Sequence, residues 1–97
     1  MKILVFVLTV ILLSPMFLYA QDAASFDRAM SLYRQRQYST AIDEFQKVVE
    51  AEPNNAAAWY MLGYAHYTLN HHKEAQDAFA KAFAADPSFD PRPYFRR

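Results

Sequence analysis

Residues 56–89 read AAAWYMLGYAHYTLNHHKEAQDAFAKAFAADPSF, and this stretch decides the fold. It contains two helical stretches, near 56–69 and near 73–85, which are interrupted at Asn70. Asparagine tolerates the left-handed backbone conformation in which many helices end, and Pro87 prevents the second helix from continuing. The stretch therefore predicts two helices joined by a short turn.

The apolar and small residues of this stretch predict how the two helices pack. The first helix carries one buried stripe at intervals of three and four residues, formed by Leu62, Ala65, His66 and Leu69. Gly63 and Ala75 are small where the two helices must approach closely, and Trp59 and Phe79 fill the larger gaps beside them. We therefore expect two antiparallel helices in contact.

The same unit occurs earlier in the chain, at a shift of 34 residues. Nine pairs are identical at this shift: Ala23/Ala57, Ala24/Ala58, Tyr33/Tyr67, Ala41/Ala75, Asp43/Asp77, Phe45/Phe79, Lys47/Lys81, Ala51/Ala85 and Pro53/Pro87. A fixed period of about 20–50 residues is typical of stacked-repeat proteins. The earlier copy, residues 22–55, predicts helices near 23–35 and 39–51, with Ser39 as the cap of the second helix.

The composition excludes several classes of protein. A single Gly in 97 residues removes Gly-rich phosphate loops and dinucleotide-binding motifs, which need several glycines. The lack of Cys removes disulfides, thiolate metal sites and cysteine nucleophiles. Residues 21–91 contain six basic and ten acidic side chains, so we expect no nucleic-acid partner. What remains is a small helical protein.

No arrangement of side chains predicts catalysis or a metal site. The serines have no base in a recognisable motif, and Asp43 and Glu44 are helix neighbours that do not face each other. His71 and His72 are adjacent in a turn, and no Asp, Glu or Cys stands at a spacing that would complete a zinc site with them. We expect no enzymatic activity, no cofactor and no metal.

Residues 1–20 predict a signal for export. Lys2 precedes a long apolar run, and Ala20 provides a small residue at the expected cleavage point. Leu18 is larger than the residue preferred two positions before a cleavage point, so an uncleaved membrane anchor over residues 3–20 stays open as the alternative. We expect a periplasmic or secreted protein that is attached to the membrane only if this segment is retained.

The repeated unit resembles the tetratricopeptide repeat. The later copy has residues at that family's marked positions: Trp59, Leu62, Gly63, Ala75, Phe79, Ala82 and Pro87. The earlier and more divergent copy keeps Ala29, Leu32, Ala41, Phe45 and Pro53. The resemblance implies an all-α protein with two tandem helix-turn-helix repeats, residues 22–55 and 56–89. These would form a short right-handed solenoid, followed by a basic and aromatic tail, residues 90–97.

The resemblance also implies a role in protein–protein interaction, as an adaptor, scaffold or assembly factor. In the family the first helix of each repeat lines a concave groove, which gives the candidate partner-binding residues Phe26, Met30, Tyr33, Arg34, Tyr60, Met61, Tyr64 and Tyr67. Some members hold a peptide's terminal carboxylate there with Lys and Asn; here Phe26, Met30 and Met61 replace three of them, so we do not expect that mode. An aromatic and Met-rich wall for a peptide or helix remains; the alternative is that these rings pack between the repeats.

The end of the stack predicts an exposed apolar surface. Stacked repeats usually need about three copies, and this chain has two. The last helix presents Ala75, Phe79, Ala82 and Phe83. The tail offers Tyr94 and Phe95 to fold back over that end; otherwise the end needs a partner or a second copy. The alternative function is therefore a self-assembling homo-oligomer closed through its terminal helix.

Overall fold

A computed structural model describes residues 26–96. Within that range the chain forms four α-helices and one short 3-10 helix, and it contains no strand. The helices are α1 (26–34), α2 (Tyr38–Ala51), α3 (Ala56–Thr68) and α4 (His72–Ala85), and the 3-10 helix is Arg92–Phe95. The predicted signal or anchor, residues 1–20, lies outside the described residues.

The two helical pairs turn in the same way. Arg36 has φ 64° and Asn70 has φ 65°, so both residues lie in the left-handed region. The amide of Gln37 donates to the carbonyl of Leu32 at 2.9 Å, and the amide of His71 donates to the carbonyl of His66 at the same distance. Such bonds are typical of a helix that ends with a left-handed residue. The prediction for Asn70 is confirmed.

The second helices of both pairs begin without a side-chain cap, whereas α3 has one. The Asn55 side chain accepts a hydrogen bond from the amide of Ala58 at 3.0 Å and caps α3. The prediction that Ser39 caps α2 is wrong. That helix begins at Tyr38 after Gln37, which makes no capping bond with its side chain, so Ser39 is already within the first turn.

The core lies where α1, α2 and α3 meet, and Ala78 of α4 packs against it. Its largest fully buried side chains are Phe45, Met61 and Val49, with alanines between them. A Cβ atom on Gly63 would lie 2.8 Å from the Phe79 ring and 3.1 Å from the Ala75 carbonyl oxygen. Glycine is therefore required at the close approach of α3 and α4, as the sequence predicts.

The apolar side of α4 faces inward. Ala75, Ala78 and Ala82 are buried and Phe79 is half-buried. The expectation that this helix presents Ala75, Phe79 and Ala82 at the surface is therefore wrong, because they pack within the same chain. Of these four residues, Phe83 alone stays at the surface, where it is 43% exposed.

No helix within residues 26–96 is long and apolar enough to span a bilayer.

Candidate functional site: the aromatic face and the C-terminal segment

Four tyrosines of α1 and α3 form a continuous surface, which we call the aromatic face: Tyr33, Tyr60, Tyr64 and Tyr67. Tyr60, Tyr64 and Tyr67 recur at intervals of four and three along α3, so they lie on one side of it. Their ring centroids are 6.5 Å apart for Tyr60–Tyr64 and 5.9 Å for Tyr64–Tyr67. Tyr33 of α1 joins them at 6.1 Å from Tyr64. The face therefore bridges both repeats.

Two tyrosines of the aromatic face, Tyr33 and Tyr60, have a raised pKa. Burial raises the pKa of Tyr33, and the Thr68 side chain opposes that effect. Burial also raises the pKa of Tyr60, and the neighbouring Tyr64 raises it further. These groups are therefore neutral phenols at physiological pH, with an apolar ring to bury and a hydroxyl that donates or accepts a hydrogen bond.

The chain's own C-terminal segment, residues 89–96, lies against the aromatic face. The Phe95 ring is 4.8 Å from that of Tyr64, and the Phe89 ring is 5.5 Å from that of Tyr60. Tyr94 reaches α1, where its ring meets Phe26 at 6.2 Å. The segment thus crosses the first helices of both repeats. Tyr94 and Phe95 do fold back, but they lie against α1 and α3. The prediction that they cover the end of the stack at α4 is therefore wrong.

Short-range bonds turn the segment back. The Asp86 carboxylate accepts from the amide of Ser88 at 3.0 Å and from its hydroxyl at 2.7 Å, just after α4. Asp90 and Arg92 form a two-point ion pair, and the Arg92 amide also donates to the Asp90 carboxylate. This arrangement lowers the pKa of Asp90. Pro91 adds a fixed φ, so the segment enters the face already bent.

Two cavities flank the C-terminal segment. The smaller, of about 330 Å³, lies between the segment and Tyr60 and Tyr64. The larger, of about 720 Å³, lies where the segment meets the turn after α1. The larger cavity is lined by Tyr33, Arg34, Arg36, Tyr38, Tyr94, Phe95 and Arg96. Phe95 and Arg96 line both cavities, so the two are neighbours on either side of these residues.

The sequence model of the tetratricopeptide repeat family matches residues 26–88, which include all four α-helices. The chain belongs to the tetratricopeptide repeat family. Such repeats generally mediate protein–protein interaction and are typically non-enzymatic modules. No individual curated protein matches the chain. The family fits the paired helices, and the surface of this repeat protein must be interpreted from its own residues.

The structure separates the predicted partner-binding residues of this repeat protein into three groups. Met30 is 4% exposed and Met61 is fully buried, so both belong to the core and neither lines the surface. This corrects the expectation of a Met-rich wall. Phe26 is half-buried between Phe45 and Tyr94. The remaining predicted residues are the four tyrosines of the aromatic face and Arg34, which lines the larger cavity.

The sequence analysis missed four residues around the segment: Arg36, Tyr38, Phe89 and Arg96. The signal for Arg36 was present, because the shift of 34 residues aligns it with Asn70 at a left-handed position. The others required knowing that the segment turns back. No local pattern in residues 86–96 fixes which face it meets.

Two further clusters in this repeat protein have structural explanations. The Trp59 ring nitrogen donates to the Pro53 carbonyl at 2.7 Å, and Lys81 lies 4.6 Å from the centre of the ring. These two contacts connect α4 to the loop before α3.

The histidines form the other cluster, in which the Nδ1 atoms of His66 and His71 lie 3.2 Å apart. Burial lowers the pKa of His66, and the neighbouring His71 lowers it further. Within residues 26–96 no group of three potential ligands surrounds a metal position.

Proposed function

We propose that this protein is a non-enzymatic protein-binding module that acts outside the cytoplasm. It binds an extended peptide or a helix of a partner protein on the aromatic face, as an adaptor, scaffold or assembly factor. Residues 1–20 direct its export and are removed near Ala20, so that the repeats are released as a periplasmic or secreted domain.

The observation that carries this proposal is the aromatic face itself. Exposed tyrosines with few rotatable bonds are efficient anchors at protein interfaces because they bury much area at a small cost in side-chain entropy. Tyr67 is 54% exposed and the other three tyrosines are half-buried, so the face still has surface to offer beside the segment, whose Phe95 is 39% exposed. A partner either extends along the segment or displaces it.

The proposed location rests on the N-terminal sequence. A positive charge at Lys2 followed by an apolar run is typical of an export signal. The chain has no Cys, so the domain does not depend on disulfide formation in an oxidising compartment. Mass spectrometry of the chain purified from an exporting host tests this part: a mature N-terminus at Gln21 is expected, and retention of residues 1–20 would support the anchor instead.

The experiment for the binding role uses Tyr64→Ala in the middle of the aromatic face. The Tyr64 ring contacts tyrosines of α1 and α3 and also Phe95. Tyr64 is half-buried and does not belong to the core. We expect the variant to lose a partner that the unchanged chain captures, with unchanged helix content and unchanged size. Gln76→Ala on the exposed side of α4 is the matched control and keeps the partner. Equal capture by all three chains would contradict the proposal.

The second candidate function is self-assembly through α4. The exposed Phe83 favours it, because its ring extends the aromatic cluster at 6.2 Å from Tyr60. Light scattering over a hundredfold dilution distinguishes the two functions. A dimer that dissociates on dilution and is lost in Phe83→Ala supports self-assembly, whereas a constant monomer that still captures a partner supports the adaptor.

A further inference from the structure

The larger of the two cavities is lined by three arginines. Arg34 and Arg36 come from the end of α1 and the turn after it, and Arg96 comes from the C-terminal segment. The cavity has a volume of about 720 Å³, and none of its lining residues within the described range is acidic. Like charges that line one cavity repel each other, so an anion between them is electrostatically favourable.

The arginines of this cavity are not neutralised in the way that Arg92 is. Arg92 donates to both carboxylate oxygens of Asp90, at 2.9 and 2.8 Å. Among residues 26–96, no carboxylate lies within ion-pair distance of Arg34, Arg36 or Arg96. The fold of the segment thus pairs one of its arginines internally and directs the other toward the cavity.

The backbone at Arg36 provides a second, independent observation. Its φ of 64° is left-handed, a conformation that is unfavourable for a residue with an ordinary Cβ. The equivalent position of the second repeat holds Asn70, which tolerates this conformation. An arginine at a position where asparagine fits better indicates that its side chain is used.

We propose that this cavity binds the carboxylate side chains of an acidic segment in a partner protein, an inference that rests on the proposed binding function. Guanidinium groups form two-point hydrogen bonds with carboxylates, which gives both attraction and orientation. The cavity adjoins the smaller one on the aromatic face, since Phe95 and Arg96 line both. A partner chain bound on the face therefore lies beside the arginine cavity.

The charge of the surrounding domain favours a short acidic segment over an extended polyanion. Residues 21–97 contain nine basic and ten acidic side chains, so the domain as a whole carries no excess of positive charge. A lipid surface or a nucleic acid needs a broad basic surface, since its charges are spread over a large area. A few carboxylates on a peptide fit within the local positive region.

The test is an NMR titration of the isotope-labelled chain, in the form that the exporting host produces. The probe is the acetylated and amidated peptide EEFEE, and the reference is QQFQQ. We expect EEFEE to shift the amide signals of residues 34–38 and 94–96, and QQFQQ to bind at least about tenfold more weakly, because it lacks charge-assisted hydrogen bonds. Added salt should weaken EEFEE and leave QQFQQ nearly unchanged.

The variants separate a binding role from a structural one. Arg34→Gln combined with Arg36→Asn should weaken EEFEE by about tenfold or more, while the midpoint of urea unfolding stays the same or rises because asparagine suits position 36. Arg28→Gln removes an exposed cation of α1 that does not line the cavity, and it should leave the affinity unchanged. An equal loss in Arg28→Gln would mean general charge attraction and would overturn the proposal.

Three other outcomes also overturn it. The first is the absence of any shift at residues 34–38 with millimolar EEFEE. The second is inorganic phosphate binding as tightly as EEFEE. The third is binding to phosphatidylserine vesicles that depends on Arg34 and Arg36 when EEFEE does not bind. If the double variant still captures the partner that Tyr64→Ala loses, the arginine cavity fails and the proposed function stands; if Tyr64→Ala also keeps the partner, both fail.

Discussion

The first helices of the two repeats occupy equivalent places in the fold and offer different side chains to the surface. In α3 the second repeat has Tyr60 and Tyr64, whereas the equivalent residues of α1 are Phe26 and the buried Met30. The turn after α1 has an arginine where the turn after α3 has Asn70. The second repeat thus supplies most of the aromatic face, and the first supplies the cations beside it.

The positions that pack the repeats together vary much less. Ala41 and Ala75 are equivalent and both are buried. The turns at residues 36 and 70 have nearly the same backbone angle. Packing therefore constrains one set of positions in each repeat, and the exposed positions of the same helices are available for binding. The first repeat departs from the better local choice at Arg36, and the proposed arginine cavity rests in part on that departure.

The largest expected effect comes from the equivalent pair Phe45 and Phe79. Phe45 is fully buried, so Phe45→Ala should lower the free energy of unfolding by about 3–5 kcal/mol. Phe79 is half-buried, so Phe79→Ala should cost less, about 1–3 kcal/mol. Urea unfolding followed by circular dichroism measures both. Equal losses would mean that the two repeats contribute equally to the core.

A smaller effect is expected at the close approach of α3 and α4. Gly63→Ala should gain about 1 kcal/mol of helix propensity and lose more than that to the Phe79 ring and the Ala75 carbonyl, for a net loss of about 1 kcal/mol. The same change in a Phe79→Ala background should be less costly, because the ring is gone. A double-mutant cycle of urea unfolding tests this, and purely additive losses would contradict the contact.

Exchanging the residues at the two left-handed positions sharpens the comparison further. Arg36→Asn should raise the free energy of unfolding by about 1 kcal/mol, and Asn70→Arg should lower it by about the same amount. Thermal or urea unfolding of the two variants provides the measurement. A loss of stability in Arg36→Asn would show that the arginine stabilises the fold, and it would remove one support of the arginine cavity.

The smallest effect is expected from lowering the pH, and it involves His66. This histidine occupies the position at which the first repeat has Leu32. Burial lowers the pKa of His66 from its usual value of 6.5, with a further contribution from His71 and a smaller opposite one from Glu74. The unfolded chain therefore binds a proton at a higher pH than the folded chain does. Stability should fall as the pH drops below 6.5 toward the folded pKa. His66→Leu should reduce this slope, and an unchanged slope would assign it to other groups.

The repeats could be predicted from the sequence because both copies pack their helices with similar residues at equivalent positions. The helix pairs, the close approach at Gly63 and the left-handed Asn70 all follow from residue size and backbone preference within one unit. Met30 and Met61 were misplaced because a family position gives the helix and the side, whereas their depth depends on the neighbouring helices. The path of the C-terminal segment could not be predicted, because its contacts with Tyr64 and Phe26 are long-range and occur once in the chain.

The most direct test of the aromatic face as the binding site is site-specific photo-crosslinking in the cells that produce the protein. The photoreactive residue p-benzoylphenylalanine is placed at Tyr64 in one chain and at Gln76, an exposed residue of α4, in another. We predict an adduct with a different protein from position 64 and none from position 76. Adducts of equal yield at both positions, no adduct at position 64, or adducts of only twice the chain mass would contradict the account.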